Sequence, residues 1–308
     1  MIFGTPISWF INEMIAAILL LVCIAHAVRR EKPIVRLLEL FCYMLTAGIF
    51  ENIGVWRNVY YYSVDRIMMF GKVPLSILFM EGVILYAAML LVEHLRLPKW
   101  AMPLGVGVLA SIQDMTLDPS SVFDLHNISG VMEGQWNWTK HYAGGFVDIP
   151  YFNFSGWMTM MVFYTAAILI GRRIYEKKRK DWIGIAYPIA ATAATLLLLV
   201  SPVNQFLLYA MPFAEMNNKT AELTMLIINF TVSIFFLLKF ARYDKPFAGK
   251  QDKIMLYIPA FLHVYAFAGS IILGISAAIL PITIVALIHC GYLFLIYRKC
   301  RRRPSSSV

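Results

Sequence analysis

The chain has 308 residues, of which 60% are hydrophobic and 15% are charged, and its mean hydropathy is +0.67. Soluble globular proteins carry about 25% charged residues, so this composition excludes an ordinary water-soluble domain. The formal net charge of +9 raises the question of a nucleic-acid partner, which the positions of the charges answer below.

The apolar residues are gathered into runs of about 20, the length that crosses a bilayer as a helix. We therefore predict an all-α fold, a polytopic membrane helix bundle with about nine transmembrane helices. It forms a single unit over residues 1–300, followed by a polar cytoplasmic tail at 301–308. The nine predicted spans are residues 7–28, 34–57, 74–93, 98–116, 154–173, 183–203, 221–240, 254–275 and 278–297.

The positions of lysine and arginine predict the orientation, because cytoplasmic loops carry an excess of both. With the N-terminus outside and the C-terminus cytoplasmic, 22 of the 27 basic residues fall in inner loops and the tail. The positive charge then reflects topology and an affinity for anionic headgroups. We predict a multi-pass protein of the cell membrane with no nucleic-acid partner. The five basic residues on the outer side are Arg57, Arg66, Lys72, Lys140 and Lys219.

A long polar stretch, Ser111–Trp157, separates the fourth and fifth predicted spans. Loops of this length are uncommon and are usually functional or disordered. Its high aromatic content argues against disorder, because disordered segments are poor in aromatic residues. We predict that residues 115–153 fold as an extracytoplasmic cap over a site.

Three glutamates, Glu13, Glu51 and Glu81, lie at similar depths within the first three predicted helices. Charged side chains are expensive in a bilayer, usually face the bundle interior and often mark a functional path. We predict that the three carboxyl groups converge on one pocket. Alternatively, each is protonated, or is paired with Arg57, Lys72 or an asparagine, and only fixes helix register.

Two aspartates, Asp114 and Asp118, are four residues apart and would share one face of a continuing helix. Because Pro119 disfavours helix at the residue before it, we predict that Asp118 begins a turn. Paired carboxyl groups beside a dry pocket can act as one proton donor and one base. Alternatively, residues 118–121 form an ordinary turn with a capping side chain.

The histidines and cysteines show none of the usual ligand spacings. No HxxH, HxxxH or HExxH pattern occurs, which disfavours a membrane di-iron hydroxylase, and no CxxC indicates a zinc site. The chain also lacks the glycine-rich motifs of nucleotide-binding proteins.

Five blocks of sequence resemble, in order, the recurring blocks of the membrane carotenoid-biosynthesis family. That family includes the carotenoid 1,2-hydratases of the bacterioruberin and γ-carotene types. The similarity covers about residues 40–175, and the chain departs from the family pattern at 141–154, where we expect a shorter segment. The blocks are FENIGVWRNVYYYS (50–63), GKVPLSILFMEG (71–82), DMTLDP (114–119), GQWNWTKHY (134–142) and IPYFNFSGW (149–157).

The resemblance implies addition of water to the terminal isoprenoid double bond of an acyclic carotenoid, with neither a metal nor another cofactor. The implied partners are the lipid-soluble carotenoid, water, membrane lipids and other enzymes of the carotenoid pathway. We predict Asp114 and Asp118 as the acid–base pair, with Glu51 and Glu81 as supporting catalytic carboxyl groups. The predicted substrate-binding residues are Glu13, Trp136, Trp138, His141, Tyr142, Asn153 and Trp157.

Two alternatives remain open at this stage. The D-x-x-x-D spacing of Asp114 and Asp118 could hold Mg²⁺ on a diphosphate in an intramembrane prenyltransferase, although such enzymes usually carry two of these motifs. A non-enzymatic lipid or carotenoid carrier could instead use the carboxyl groups as a polar gate. Transporters often contain inverted repeats, and this sequence shows none.

Overall fold

A computed structural model describes residues 1–139, 145–210 and 218–301. These residues form ten α-helices and six short β-strands. The helices are α1 (Ile7–Ala27), α2 (Pro33–Trp56), α3 (Leu75–His94), α4 (Met102–Val122), α5 (Tyr151–Lys178), α6 (Asp181–Leu199), α7 (Pro202–Tyr209), α8 (Lys219–Phe240), α9 (Ile254–Ile272) and α10 (Ser276–Cys300).

The predicted polytopic helix bundle is confirmed. Among the described residues, eight helices are long and apolar enough to cross a membrane. The ninth long helix, α4, corresponds to the predicted span 98–116, but it is more polar than the others and extends to Val122. The sixth predicted span ends at Leu199, and the residues after it form the separate short helix α7.

Helices α3 and α4 occupy the centre of the bundle. Helix α3 packs against α1, α2, α4 and α9, and most of its residues are buried. Helix α4 packs against α3, α5, α8, α9 and α10. Because protein surrounds α4 on all sides, its polar side chains meet other side chains rather than lipid. This explains how a less apolar helix is accommodated in the bundle.

The prediction that Asp118 begins a turn is wrong, because α4 continues through Pro119 to Val122. A proline disrupts a helix chiefly by removing one N–H donor and crowding the preceding turn. Here it lies in the last turn of the helix. Membrane helices tolerate proline where neighbouring groups satisfy the freed backbone. As a result, Asp114 and Asp118 lie one turn apart on the same helix.

The six strands lie in the two connections that join α2 to α3 and α4 to α5, and they form three two-stranded antiparallel ribbons. The ribbon of β1 with β6 joins the two connections, whereas β2 pairs with β3 and β4 with β5. We call these strands the cap strands. They are β1 (Tyr60–Tyr62), β2 (Met69–Phe70), β3 (Val73–Pro74), β4 (His126–Ile128), β5 (Val131–Glu133) and β6 (Trp136–Trp138).

The side chain of Asn52 on α2 fastens the β2–β3 ribbon to the bundle. Its Nδ2 donates to the carbonyl oxygen of Phe70 at 2.9 Å, and its Oδ1 accepts from the backbone N–H of Lys72 at 2.9 Å. The turn between the strands contains Gly71 with a φ of +65°, a conformation that glycine adopts without strain. The asparagine therefore positions the chain that leads into α3.

Helices α5 and α6 approach closely at Gly171, and we predict that even a change to alanine there destabilises the protein. A Cβ at this position would lie 2.4 Å from Cδ2 of Tyr187, whose hydroxyl donates to Glu39 and so holds the ring in place. We expect Gly171→Ala to lower the free energy of unfolding by about 1–3 kcal/mol, the usual cost of overpacking. The midpoint of thermal unfolding in detergent measures it.

The matched control is Gly291→Ala on α10, where an added Cβ meets nothing within 4 Å. That variant should unfold at or slightly above the wild-type temperature, because alanine favours helix over glycine. Equal midpoints for the two variants would contradict the close approach of α5 and α6.

Candidate functional site

Three adjoining cavities lie beneath the cap strands. The aromatic cavity, about 330 Å³, is lined by Glu51, Tyr60, Tyr62, Ile77, Glu81, Asp118, Trp136, Trp138, Asn153 and Trp157. The polar chamber, about 540 Å³, shares Ile77, Glu81, Asp118, Trp136 and Trp157 with the aromatic cavity. Its other lining residues are Asn12, Ala16, Arg66, Ser76, Met80, Asp114, Leu117, Ser121, Gln135 and Tyr265. The lateral cleft, about 940 Å³, lies between α2, α5 and the α6–α7 segment. Trp157 lines all three, so the cavities adjoin one another around its side chain.

The ribbon of β1 with β6 forms the aromatic wall of this site. Side chains alternate between the two faces of a strand, so Tyr60, Tyr62, Trp136 and Trp138 share one face. Tyr60 lies opposite Trp138 and Tyr62 opposite Trp136, with ring centroids 5.1 and 5.9 Å apart. Aromatic cross-strand pairs stabilise such a ribbon. The WNW and YYY segments therefore place four rings over the carboxyl groups.

Two tyrosines of this wall hold Glu51. The hydroxyls of Tyr60 and Tyr62 donate to the same oxygen, Oε2 of Glu51, at 2.7 and 2.6 Å. Burial, followed by the nearby Glu51 carboxyl, raises the pKa of both phenols well above the usual value. Both hydroxyls therefore remain protonated and act as donors, and together they fix the orientation of the Glu51 carboxyl group.

The two aspartates of α4 share one partner. Nδ2 of Asn153, in the first turn of α5, donates to Oδ2 of Asp114 at 3.0 Å and to Oδ2 of Asp118 at 2.6 Å. The two aspartate carboxyl groups also lie close enough to share a hydrogen bond. A hydrogen bond between two carboxyl groups requires a proton on one of them. Asp114 and Asp118 are 1% and 4% exposed, so this proton is held out of bulk water.

Glu81, in the second turn of α3, has the least satisfied carboxyl group of the set. It is fully buried, and it accepts only a long hydrogen bond of 3.5 Å, from the hydroxyl of Tyr43 to Oε2. Its Oε1 has no hydrogen-bond partner among the described residues. Glu81 lines both the aromatic cavity and the polar chamber, so a water molecule there could complete its hydrogen bonding.

The structure brings together most of the predicted site residues. Asp118 and Glu81 line both the aromatic cavity and the polar chamber, Asp114 lines the polar chamber, and Glu51 lines the aromatic cavity and the lateral cleft. Among the described residues, no lysine, arginine or histidine lines the aromatic cavity. The predicted substrate-binding residues that line it are Trp136, Trp138, Asn153 and Trp157.

Glu13 lies apart from the other glutamates. Its Oε1 accepts from Nε of Arg66 at 2.6 Å, and its Oε2 accepts from the backbone N–H of Ile67 at 3.2 Å. The pairing that the sequence suggested for a buried glutamate therefore occurs here, with Arg66 rather than Arg57 or Lys72. Predicted site residues His141 and Tyr142 lie outside the described residues.

Sequence reasoning missed Tyr60, Tyr62 and Arg66. The alternation of YYY in a short extended segment could have indicated that the first and third rings share a face. Nothing local indicates that this face meets Trp136 and Trp138, which lie more than 70 residues further along the chain. The partner of Arg66, Glu13, is also distant, 53 residues earlier in the chain.

Comparison with known proteins gives one match. Residues 13–214 match the family model described as carotenoid biosynthesis protein. No curated protein and no solved structure matches the chain. The matched range includes the cap strands, the four carboxyl groups and all three walls of the lateral cleft. It covers more than half of the 308 residues, and the chain therefore belongs to the carotenoid biosynthesis protein family.

Proposed function

We propose that this protein hydrates the terminal isoprenoid double bond of an acyclic carotenoid. One observation carries the proposal. Asp118 and Glu81 lie on the boundary between an aromatic cavity and a polar chamber, so an alkene on one side and water on the other can meet at the same carboxyl groups. Membership of a carotenoid-biosynthesis family supports a substrate of this class.

Asp118 is the proposed proton donor. The buried aspartate pair keeps a proton because, among the described residues, no cationic side chain lines the aromatic cavity. Of the two carboxyl groups, only that of Asp118 lines this cavity, so it is the one that faces the alkene. The proton passes from Asp118 to the less substituted carbon of the terminal double bond. The π electrons form the new C–H bond, which leaves a tertiary carbocation and an Asp118 carboxylate.

Asp114 is the proposed base. It lines the polar chamber, where Asn12, Ser76 and Ser121 offer hydrogen bonds to water. A water molecule attacks the carbocation while Asp114 takes one of its protons, which forms the C–O bond of a tertiary alcohol. Return of that proton from Asp114 to Asp118 restores the starting state. The whole reaction adds one water molecule and needs no redox step.

The remaining groups stabilise the positive charge. Glu51 is held towards the aromatic cavity by two phenol donors, so the dipole of its carboxyl group is oriented before the carbocation forms. Fixed charges and dipoles that are already oriented stabilise a transition state effectively. The faces of Trp136, Trp138 and Trp157 add cation–π attraction. Asn153 positions both aspartates rather than reacting itself.

We further propose that the protein acts in the cell membrane with its N-terminus outside, because the basic residues favour that orientation. The cap strands and the site then lie towards the outer leaflet. A substrate that dissolves only in lipid must arrive and leave within the bilayer, so other enzymes of the carotenoid pathway are the proposed partners.

The test is expression in cells that make lycopene, followed by mass spectrometry of the pigments. We expect a product 18 mass units heavier than the substrate. A well-expressed protein that binds lycopene and returns it unchanged would favour the carrier. A product that forms only with Mg²⁺ and a prenyl diphosphate would favour the prenyltransferase.

A further inference from the structure

The largest of the three cavities, the lateral cleft, has no role in the reaction as described so far. It lies between α2, α5 and the α6–α7 segment and contains about 940 Å³ of empty space, including space open to the outside. The cleft meets the aromatic cavity at Glu51, Tyr60, Asn153 and Trp157, which line both.

The cleft opens at the surface of the bundle rather than only towards the cap. One edge is formed by Val200, which is 42% exposed, and α7 beside it presents Val203 and Phe206, which are 55% and 51% exposed. In a bundle of membrane-spanning helices, such exposed apolar side chains face lipid. Deeper in the cleft, Phe152, Met160 and Leu208 continue the apolar lining.

We propose that the lateral cleft receives the acyclic carotenoid directly from the bilayer and holds the isoprenoid units next to the reacting end. This inference rests on the proposed function, and it adds the route and the binding site of the substrate. The terminal double bond reaches the aromatic cavity, the following units fill the cleft, and the rest of the polyene stays in lipid. Water uses the polar chamber on the opposite side.

Gly156 is a position at which the cleft can be narrowed by a larger side chain. It lies on α5 one residue before Trp157, and an added Cβ would meet nothing within 4 Å. Gly54, which also lines the cleft, is different, because a Cβ there would lie 2.5 Å from the hydroxyl oxygen of Tyr60. A side chain at position 156 therefore enters the cleft without disturbing the packing.

The experiment compares Gly156→Phe with the wild-type protein in cells that make lycopene. We expect the phenylalanine to reduce both the lycopene that co-purifies per protein and the hydrated product by about tenfold or more, the scale on which apolar pockets discriminate size. Ile170→Phe, on the same helix, is the matched control and should stay within about twofold of the wild type, since Ile170 is a lipid-facing residue at 63% exposure.

A second blocking variant, Val200→Trp, narrows the cleft from the opposite wall and should act like Gly156→Phe. Wild-type binding and product with both blocking variants would overturn the cleft as the binding site. If the wild type binds lycopene without hydrating it, the proposed function fails. The lycopene that co-purifies with each variant then tests the cleft separately. Loss of bound lycopene in both blocking variants would support the cleft as the binding site, and retention in both would overturn it.

Discussion

Replacing Asp118 with asparagine is expected to lower the rate of carotenoid hydration by about 10²–10⁴-fold, the usual contribution of a positioned general acid. Asparagine has nearly the same shape as aspartate but has no carboxyl proton to transfer. Asp118 lies on the boundary of the aromatic cavity and the polar chamber, where Asn153 donates to it at 2.6 Å. The measurement is the rate of appearance of the product 18 mass units heavier, per amount of membrane protein.

Asp114→Asn should cause a similar loss, and the double variant should be little worse than either single variant, because residues that act as a unit are not additive. Asp124→Asn is the matched control. Asp124 is also buried, at 2% exposure, but it lines none of the three cavities, so hydration per folded protein should not change. Full activity in Asp118→Asn protein would remove the proposed proton donor.

The fold was largely predictable because hydropathy carries most of the information about a membrane protein. Runs of about 20 apolar residues located eight helices to within a few residues of their ends. The exceptions have physical causes. Helix α4 can contain polar residues because other helices surround it. Hydropathy therefore did not indicate where its C-terminal end lies. The break at Leu199 and the short helix α7 depend on packing against α5 and α8.

The candidate site was predictable in its components but not in its connections. The sequence alone indicated the four carboxyl groups. Glu51 and Glu81 stand out by the free-energy cost of placing a charged side chain in a bilayer, and Asp114 and Asp118 by their spacing. Their partners depend on contacts between distant segments. Tyr62 reaches Glu51 only because β1 pairs with β6. Glu13 was expected beside the other glutamates, and Arg66 instead holds it through a contact 53 residues apart.

The largest effect on stability is expected from Arg66→Met. The Arg66 side chain is 1% exposed and that of Glu13 is 6% exposed, and the two lie 2.6 Å apart. Removing one partner of a buried ion pair usually costs about 3–5 kcal/mol, because the other charge is left buried without compensation. We therefore expect a loss of this size in the free energy of unfolding, measured by reversible denaturation in mixed micelles.

A double-mutant cycle separates the ion pair from the packing of the arginine. Arg66 also donates to Oε1 of Gln135 at 3.3 Å and lies over the ring of Trp9 at 5.5 Å, so some of the loss is independent of Glu13. If the buried charge dominates, Glu13→Gln combined with Arg66→Met should be more stable than Arg66→Met alone.

The exposed pair of Arg96 and Asp244, at 51% and 59% exposure, provides the control, and Arg96→Met should cost less than about 1 kcal/mol. If Arg66→Met and Arg96→Met lowered the free energy of unfolding by the same amount, a buried ion pair between α1 and the segment after β1 would be contradicted.

Arg66 also lines the polar chamber, so loss of the ion pair should admit more water to the carboxyl groups. We therefore expect Arg66→Met to change the rate of carotenoid hydration per folded molecule as well as the stability. Arg96→Met should leave that rate unchanged.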